Sequence, residues 1–466
     1  YNLRIIYIGK IMKKIYLSLL ISNFCFAQSI NFHEALNQSL QNSKDLKKQE
    51  LNVKISKEDT KNITASNYGV LSLNSNISRT NHAGYVFMGK LSSREATFKD
   101  FGFTNSAMNE AMNGNNVTPD NLNYPEDRTA INNFISYDLP LFTGFKLENH
   151  KDISKLQEKA NELLYNLDKK NLEVEVLKAY NQAVLAKDYL KTMQSAKKSI
   201  EFIHNGAQEF HKNGLVTKID VNEAKVYMLN INSKLVEAQN NFDLALAYLR
   251  FLTSNEAISD VENIENIYFN LEDEEELYKK ALEKRDEVAL QKISINANSK
   301  NVDAQKSSYY PQVFTHLEYG LNDNKFTTEK DKDYYTALLG ISLTIYDGTR
   351  GALVEKARLE ELKAKLDYEK LKDGIKLELE KAILDYKAKQ AVLKEKTQAK
   401  ELASEVLNQA KLQYKNRLIS MTTLLTQETN FQQSQTMLLN AIYDNSLALA
   451  NLNLVLGKNL KSEDEK

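Results

Sequence analysis

Residues 335–345 read YTALLGISLTI, with Tyr335, Ala337, Leu339, Ile341, Leu343 and Ile345 at odd positions and Thr336, Leu338, Gly340, Ser342 and Thr344 between them. A period of two marks a strand with one apolar face. A run of about ten residues is the length a tilted strand needs to cross a bilayer. Weaker versions of the pattern occur elsewhere. Ile135, Tyr137 and Leu139 alternate with Ser136 and Asp138. Leu71, Leu73 and Ile77 alternate with Ser72, Asn74 and Ser78, although Ser75 interrupts the apolar side, and Val313, Leu317 and Tyr319 give the faintest case. Strands are therefore expected near residues 70–80, 131–141, 312–321 and 335–346, with Leu339, Ile341 and Leu343 toward lipid. A soluble sheet with one wet face shows the same alternation, so the strands alone do not decide between the two.

The flanking segments do. From Lys146 to about His211, and from Gly351 to about Tyr414, there is no proline. Leu163, Leu167, Val174, Leu177 and Val184 in one stretch, and Ile375, Leu379, Ala382, Tyr386 and Leu393 in the other, recur at helical steps of the coiled-coil kind. Roughly 65 residues at 1.5 Å each make a rod of roughly 100 Å. Helices of about 35 residues are expected before the first strands and after the turns, so that two stacked end to end match one long helix.

The halves repeat. Phe32–Leu73 aligns without a gap on Glu274–Thr315, an offset of 242; Leu139–Gly144 meets Leu343–Gly348 at 204, and Lys212–Leu215 meets Lys415–Leu418 at 203. The first copy thus carries 38 extra residues between its strands. The division reads as 1–27 leader, 28–255 first repeat, 256–275 connector, 276–458 second repeat and 459–466 tail. The segment from about Asn81 to Ala130, with four of the fifteen glycines and two of the four prolines, is expected to be a long outer loop, not helix. Its aromatics Tyr85, Phe87, Phe98, Phe101 and Phe103 argue that part of it packs. Four strands cannot close a membrane barrel, whose smallest examples have about eight, and an open edge is not tolerated in lipid. Other copies must complete the barrel, as a cyclic oligomer would.

Residues 12–27, MKKIYLSLLISNFCFA, combine Lys13 and Lys14, an apolar core and small residues at Cys25 and Ala27, which reads as a signal peptide cut before Gln28. A retained signal anchor is the alternative. Tyr1–Ile11 reads as an upstream extension. Cys25 is the sole cysteine, so a mature chain would hold no disulfide. Charged residues at 26% and a mean hydropathy of −0.49 exclude a bundle of transmembrane helices. Bases number 61 and acids 62, with no basic cluster for nucleic acid. The histidines at 33, 82, 150, 204, 211 and 316 lack metal-ligand spacing, and no phosphate loop or nucleophile elbow occurs, so neither enzyme, metal nor cofactor is expected. The run Glu272–Glu276 reads as a solvated helix start.

Gly214–Ala224 (GLVTKIDVNEA), Leu139–Gly144 (LPLFTG) with its second copy Ser342–Gly348, Ala281–Glu287 (ALEKRDE) and Ser307–Pro311 (SSYYP) resemble, in order and duplication, the TolC-type outer-membrane efflux proteins, over about Ser29 to Lys458. The resemblance implies a mainly α, partly β chain of two repeats. It implies a homotrimer with a twelve-stranded barrel, four strands per chain, in outer-membrane lipid, continued by a periplasmic helical barrel. It implies a passive exit duct for a tripartite pump or type I secretion system, working with a periplasmic adaptor and an inner-membrane RND or ABC transporter. A periplasmic adaptor, or a structural coiled-coil surface protein, is the alternative function. Gly214, Leu215, Arg417 and Leu418 fall at the tip expected to meet the adaptor, and Asp220, Glu223, Thr423 and Thr426 at the periplasmic mouth. Asp220 and Glu223 would form acidic rings favouring cations, although Thr217 with Asp220 also reads as a helix cap. Departures from the family pattern are Gly69 and Thr344 where proline is frequent, Arg417 in place of a tip glycine, and Thr423 and Thr426 where some members carry aspartate.

Overall fold

The computed structural model describes residues 28–264 and 273–458, so the expected leader and tail lie outside the described residues. The first half comprises β1 (Gln28–Ile30), α1 (Phe32–Asn42), α2 (Lys44–Ala65), β2 (Val70–Thr80), α3 (Ala83–Ser92), α4 (Asn105–Met112), α5 (Asp120–Asn123), β3 (Arg128–Phe142), α6 (Lys146–Lys212), α7 (Lys218–Thr253) and β4 (Ile258–Val261). The second comprises α8 (Glu274–Lys284), α9 (Asp286–Lys306), β5 (Gln312–Asp323), β6 (Asp333–Ser342), α10 (Arg350–Lys415) and α11 (Met421–Val455). The proline-free stretches are single helices of 67 and 66 residues, and the helices after the turns have 36 and 35. No described helix is long and apolar enough to cross a membrane.

Four expectations are corrected. The helix expected before each first strand is broken, into 11 and 22 residues at Ser43 and into 11 and 21 at Arg285. Both residues have extended ψ, 122° and 126°. The Ser43 hydroxyl accepts the Leu46 N–H, while Arg285 reaches Glu287 and Glu378 at 2.9 and 2.7 Å. The last strand stops at Ser342, short of 346, because its partner Gln312 follows Pro311, which has no N–H to continue the ladder. The expected outer loop is part helix: Gly84 and Gly89 lie within α3, while Gly102 and Gly114, at φ +82° and +83°, fall between helices and Pro119 caps α5. Finally, β1 and β4, absent from the sequence reading, pair in parallel.

Two compact units result. Of the described residues, one contains 28–52, 161–264, 273–291 and 367–458. Tyr180 is fully buried there, edge-on to Phe32 with centroids 5.9 Å apart, and its hydroxyl donates to the carbonyls of Ile30 and Asn263. Lys187 ties α6 to β4 through the Asp260 carboxylate and the Val261 carbonyl. A second core joins Leu277, Ile375, Leu379 and Leu452; a third joins Ile200, Ala224, Ile231, Met421 and Leu424.

The other unit contains residues 53–160 and 292–366. Its sheet is antiparallel in the order β2-β3-β5-β6. Gly144, at φ +64°, turns the chain from β3 into α6 where a Cβ would stand 2.5 Å from the Ser307 carbonyl oxygen. Phe145 stacks edge-on against Phe142 and Tyr310 beside it.

Candidate functional site

The sheet has two unlike faces. Its register lines up Leu73, Ile135, Tyr319 and Tyr335 in one row and Leu71, Tyr137, Leu317 and Ala337 in the next. Leu73 is 80% exposed and Tyr335 82%, so along these rows the apolar face is uncovered by the described residues. Leu339 and Ile341, expected toward lipid, are exposed on it; Leu343 is exposed too but lies beyond the strand. The opposite face carries Ser72, Ser136, Glu318 and Thr336 in register. There His316 bridges Asp138 through Nδ1 at 2.7 Å and Glu318 through Nε2 at 3.3 Å. The Tyr334 hydroxyl donates to Glu318 and lies within hydrogen-bond distance of the Asn132 side chain. The sequence reading placed Asp138 among the polar positions of its strand and listed the histidine at 316, but did not bring the cluster together.

The two helical turns have one geometry. Gly214 has φ +71°, its N–H donating to the His211 carbonyl and that of Leu215 to Phe210, at 2.9 and 2.8 Å. Arg417 has φ +62°, with Arg417 N–H donating to Tyr414 and Leu418 N–H to Gln413, both at 2.9 Å. These are helix C-caps closed by a left-handed residue. Glycine adopts that conformation freely, whereas arginine does so at a cost of about 1 kcal/mol. Leu215 and Leu418 are 39% and 73% exposed.

The acids at the start of α7 are both engaged. Asp220 closes a capping box, accepting from the Thr217 N–H at 2.8 Å and hydroxyl at 2.6 Å. Glu223 accepts from the Thr422 hydroxyl of α11 at 3.0 Å. Ser420 caps α11 through the Thr423 N–H, and Thr426 folds its hydroxyl back onto the Thr422 carbonyl. Glu223 is thus brought to α11, but at Thr422, not at Thr423 or Thr426. The Thr429 hydroxyl meets the Tyr227 hydroxyl one turn on, at 3.2 Å. Deeper in the same helices Glu428, 2% exposed, lies between Lys411 at 3.3 Å and the Ser199 hydroxyl at 3.1 Å. Nothing in the sequence separates Glu428 from the solvated acids around it.

Among the described residues no group of histidine, cysteine and acid side chains could hold a metal ion. A four-stranded sheet of bilayer length with an uncovered apolar face, joined to helices of 66 and 67 residues, defines the subunit of a membrane channel. The outer membrane efflux protein family matches residues 35–255 and 277–458, and the chain belongs to that family. It is accordingly an outer-membrane protein of the exit-duct class. A comparison with curated proteins gives no match. Among solved structures, the fold is similar to a membrane protein from Pseudomonas aeruginosa, with a TM-score of 0.76 and 14% identity over 93% of this chain and 92% of that one. It is similar to the outer membrane protein VceC of Vibrio cholerae, at 0.73 and 16% over 92% and 97%. The Campylobacter jejuni CmeC outer membrane channel scores 0.73 at 15% over 93% and 87%.

Proposed function

We propose that three copies of the chain close one twelve-stranded barrel and act as the passive outer-membrane duct of a tripartite efflux pump or type I secretion system. The observation that carries this is the open sheet. Its outermost strands, β2 and β6, each have a partner on one side only, while the middle of its apolar face, from Leu73 to Tyr335, is exposed. An unpaired edge in lipid leaves backbone groups unsatisfied at several kcal/mol each, and a cyclic assembly removes every edge. The polar face with Asp138, His316 and Glu318 then lines the lumen. Substrate enters from a periplasmic adaptor and an inner-membrane RND or ABC transporter, which supplies the energy.

The turns around Gly214 and Arg417 form the periplasmic tip, and exposed Leu215 and Leu418 meet the adaptor. Asp220 and Glu223 stand near that mouth, with Thr423 and Thr426 in the matching places of α11. Three-fold rings of both carboxylates favour cations. Outer-membrane fractionation with a heat-modifiability gel tests the assembly: an SDS-resistant oligomer is expected, and a monomer in the periplasmic fraction refutes the duct. Cysteine cross-linking from Leu215 or Leu418 tests the tip, and cross-links confined to the middle of the helices refute its role.

A further inference from the structure

The ionisable side chains on the polar face of the sheet gather at one place. Within the paired strands the positions of that face carry Arg128, Asp138, His316, Glu318 and Tyr334, and β2 contributes none. Arg128 is the first residue of β3, roughly 30 Å along the strand from Asp138. Its guanidinium is held by Glu95 at 2.6 Å, with the arginine side chain 10% exposed. Tyr334 donates to Glu318 and, as a phenol, is neutral below about pH 9. The charge that the face presents along the rest of its length is therefore that of Asp138, His316 and Glu318.

These three are joined through the imidazole. Asp138 and His316 stand directly opposite each other in the register of β3 and β5, and Glu318 follows two residues on, on the same face. His316 spans both carboxylates, with Nδ1 2.7 Å from Asp138 and Nε2 3.3 Å from Glu318. Across β6 it faces Leu338, flanked on that face by Thr336 and Gly340, so the two carboxylates are the charged groups it meets. The cluster is open to water, the Asp138 side chain being 60% exposed and that of His316 31%. With a neutral imidazole it carries two negative charges, and with a protonated one it carries one. Histidine is the side chain whose charge ordinarily changes between about pH 5 and 8, where carboxylates stay ionised.

We propose that Asp138, His316 and Glu318 are the charge-selective station of the barrel, a ring whose preference for cations is set by whether His316 carries a proton. The proposal rests on the barrel reading above and names the side chains that sort solutes inside it. Around a three-fold axis the ring holds two carboxylates from each copy, and protonation of the imidazoles cancels half of their charge. Cationic solutes are favoured while the imidazole is neutral, and the preference weakens as it gains its proton.

The test is the reversal potential of the full-length oligomer in a planar bilayer across a potassium chloride gradient, at about pH 6 and about pH 9. The parent is expected to shift toward the potassium equilibrium potential as pH rises between these values. His316→Gln removes the proton site and should hold the parent's high-pH potential at both. His316→Arg fixes the positive charge and should hold the parent's low-pH potential at both, which gives a second reading independent of the first. Asp220 and Glu223 are carboxylates and do not supply the shift. A parent with the same potential at both pH values overturns the proposal, and so does His316→Gln that keeps the parent's shift, since another group then titrates. An oligomer that assembles but conducts no ions refutes the barrel, and the station with it.

Discussion

Leu73→Arg is expected to abolish assembly of the barrel while Ser72→Arg leaves it intact. Leu73 is 80% exposed and stands in the row with Ile135, Tyr319 and Tyr335, so its replacement opens no cavity and changes only what the sheet presents outward. An arginine on a lipid face near the midplane costs about 2–4 kcal/mol, and three copies multiply this to about 6–12 kcal/mol. At 1.36 kcal/mol per decade that is roughly four to nine orders of magnitude in the assembly equilibrium. Snorkelling toward the headgroups brings the true cost to the lower end. Ser72 faces the other way, in the row with Ser136, Glu318 and Thr336, where an added guanidinium finds water and a carboxylate. The assay is the yield of SDS-resistant oligomer in the outer-membrane fraction, read before and after heating. Normal assembly of Leu73→Arg together with failure of Ser72→Arg would show that the faces are assigned the wrong way round.

Further outcomes follow from single contacts. Gly144→Ala, with φ +64° and the Ser307 carbonyl oxygen 2.5 Å from the new Cβ, should destabilise the strand-to-helix corner by about 1–3 kcal/mol, lowering the temperature at which the oligomer dissociates. Asp220→Asn with Glu223→Gln should shift the reversal potential in a salt gradient toward the non-selective value; an unchanged potential in an intact oligomer excludes these acids as the selectivity element. The Lys90 ammonium, with the Thr97 N–H and hydroxyl, holds the Asp100 carboxyl at about 2, below its ordinary 3.8. A depressed folded value means that this contribution, about 1–2 kcal/mol, is present in full above about pH 4 and is lost as pH falls through about 2. Protease nicking of the outer loop should therefore rise between pH 4 and pH 2 in the parent, and already be raised at pH 7 in Asp100→Asn.

The strands were legible because burying one face imposes a period of two that composition cannot hide, and the four runs differ from observed strands only at their ends. The long helices were legible because nothing in them breaks a helix. The breaks at Ser43 and Arg285 were not, since neither residue is a glycine or proline and each break depends on partners found in the fold, for Arg285 Glu378 on α10. The loop helices were hidden for the opposite reason: four glycines and two prolines suggested coil, yet most of them punctuate helices instead of interrupting them. The three-residue β1 is too short for any periodic signal. At the start of α7, Thr217 and Asp220 were readable as a cap from spacing alone. The bond from Thr422 to Glu223 was not, because it joins residues 199 apart in the chain.

The two helical turns share one backbone and differ in what they carry. Gly214 offers a bare Cα at the left-handed position and Arg417 a guanidinium. Around a three-fold axis, six turns of the same shape would alternate between the two. A partner that touched only backbone would find the ring the same after every 60° step. One that meets the arginines can tell each turn from its neighbour, and its permitted settings are halved to steps of 120°. In the proposed trimer, a strained arginine where glycine would fit freely would thus give the ring a phase, which would fix how a docked partner is rotated and not merely where it sits.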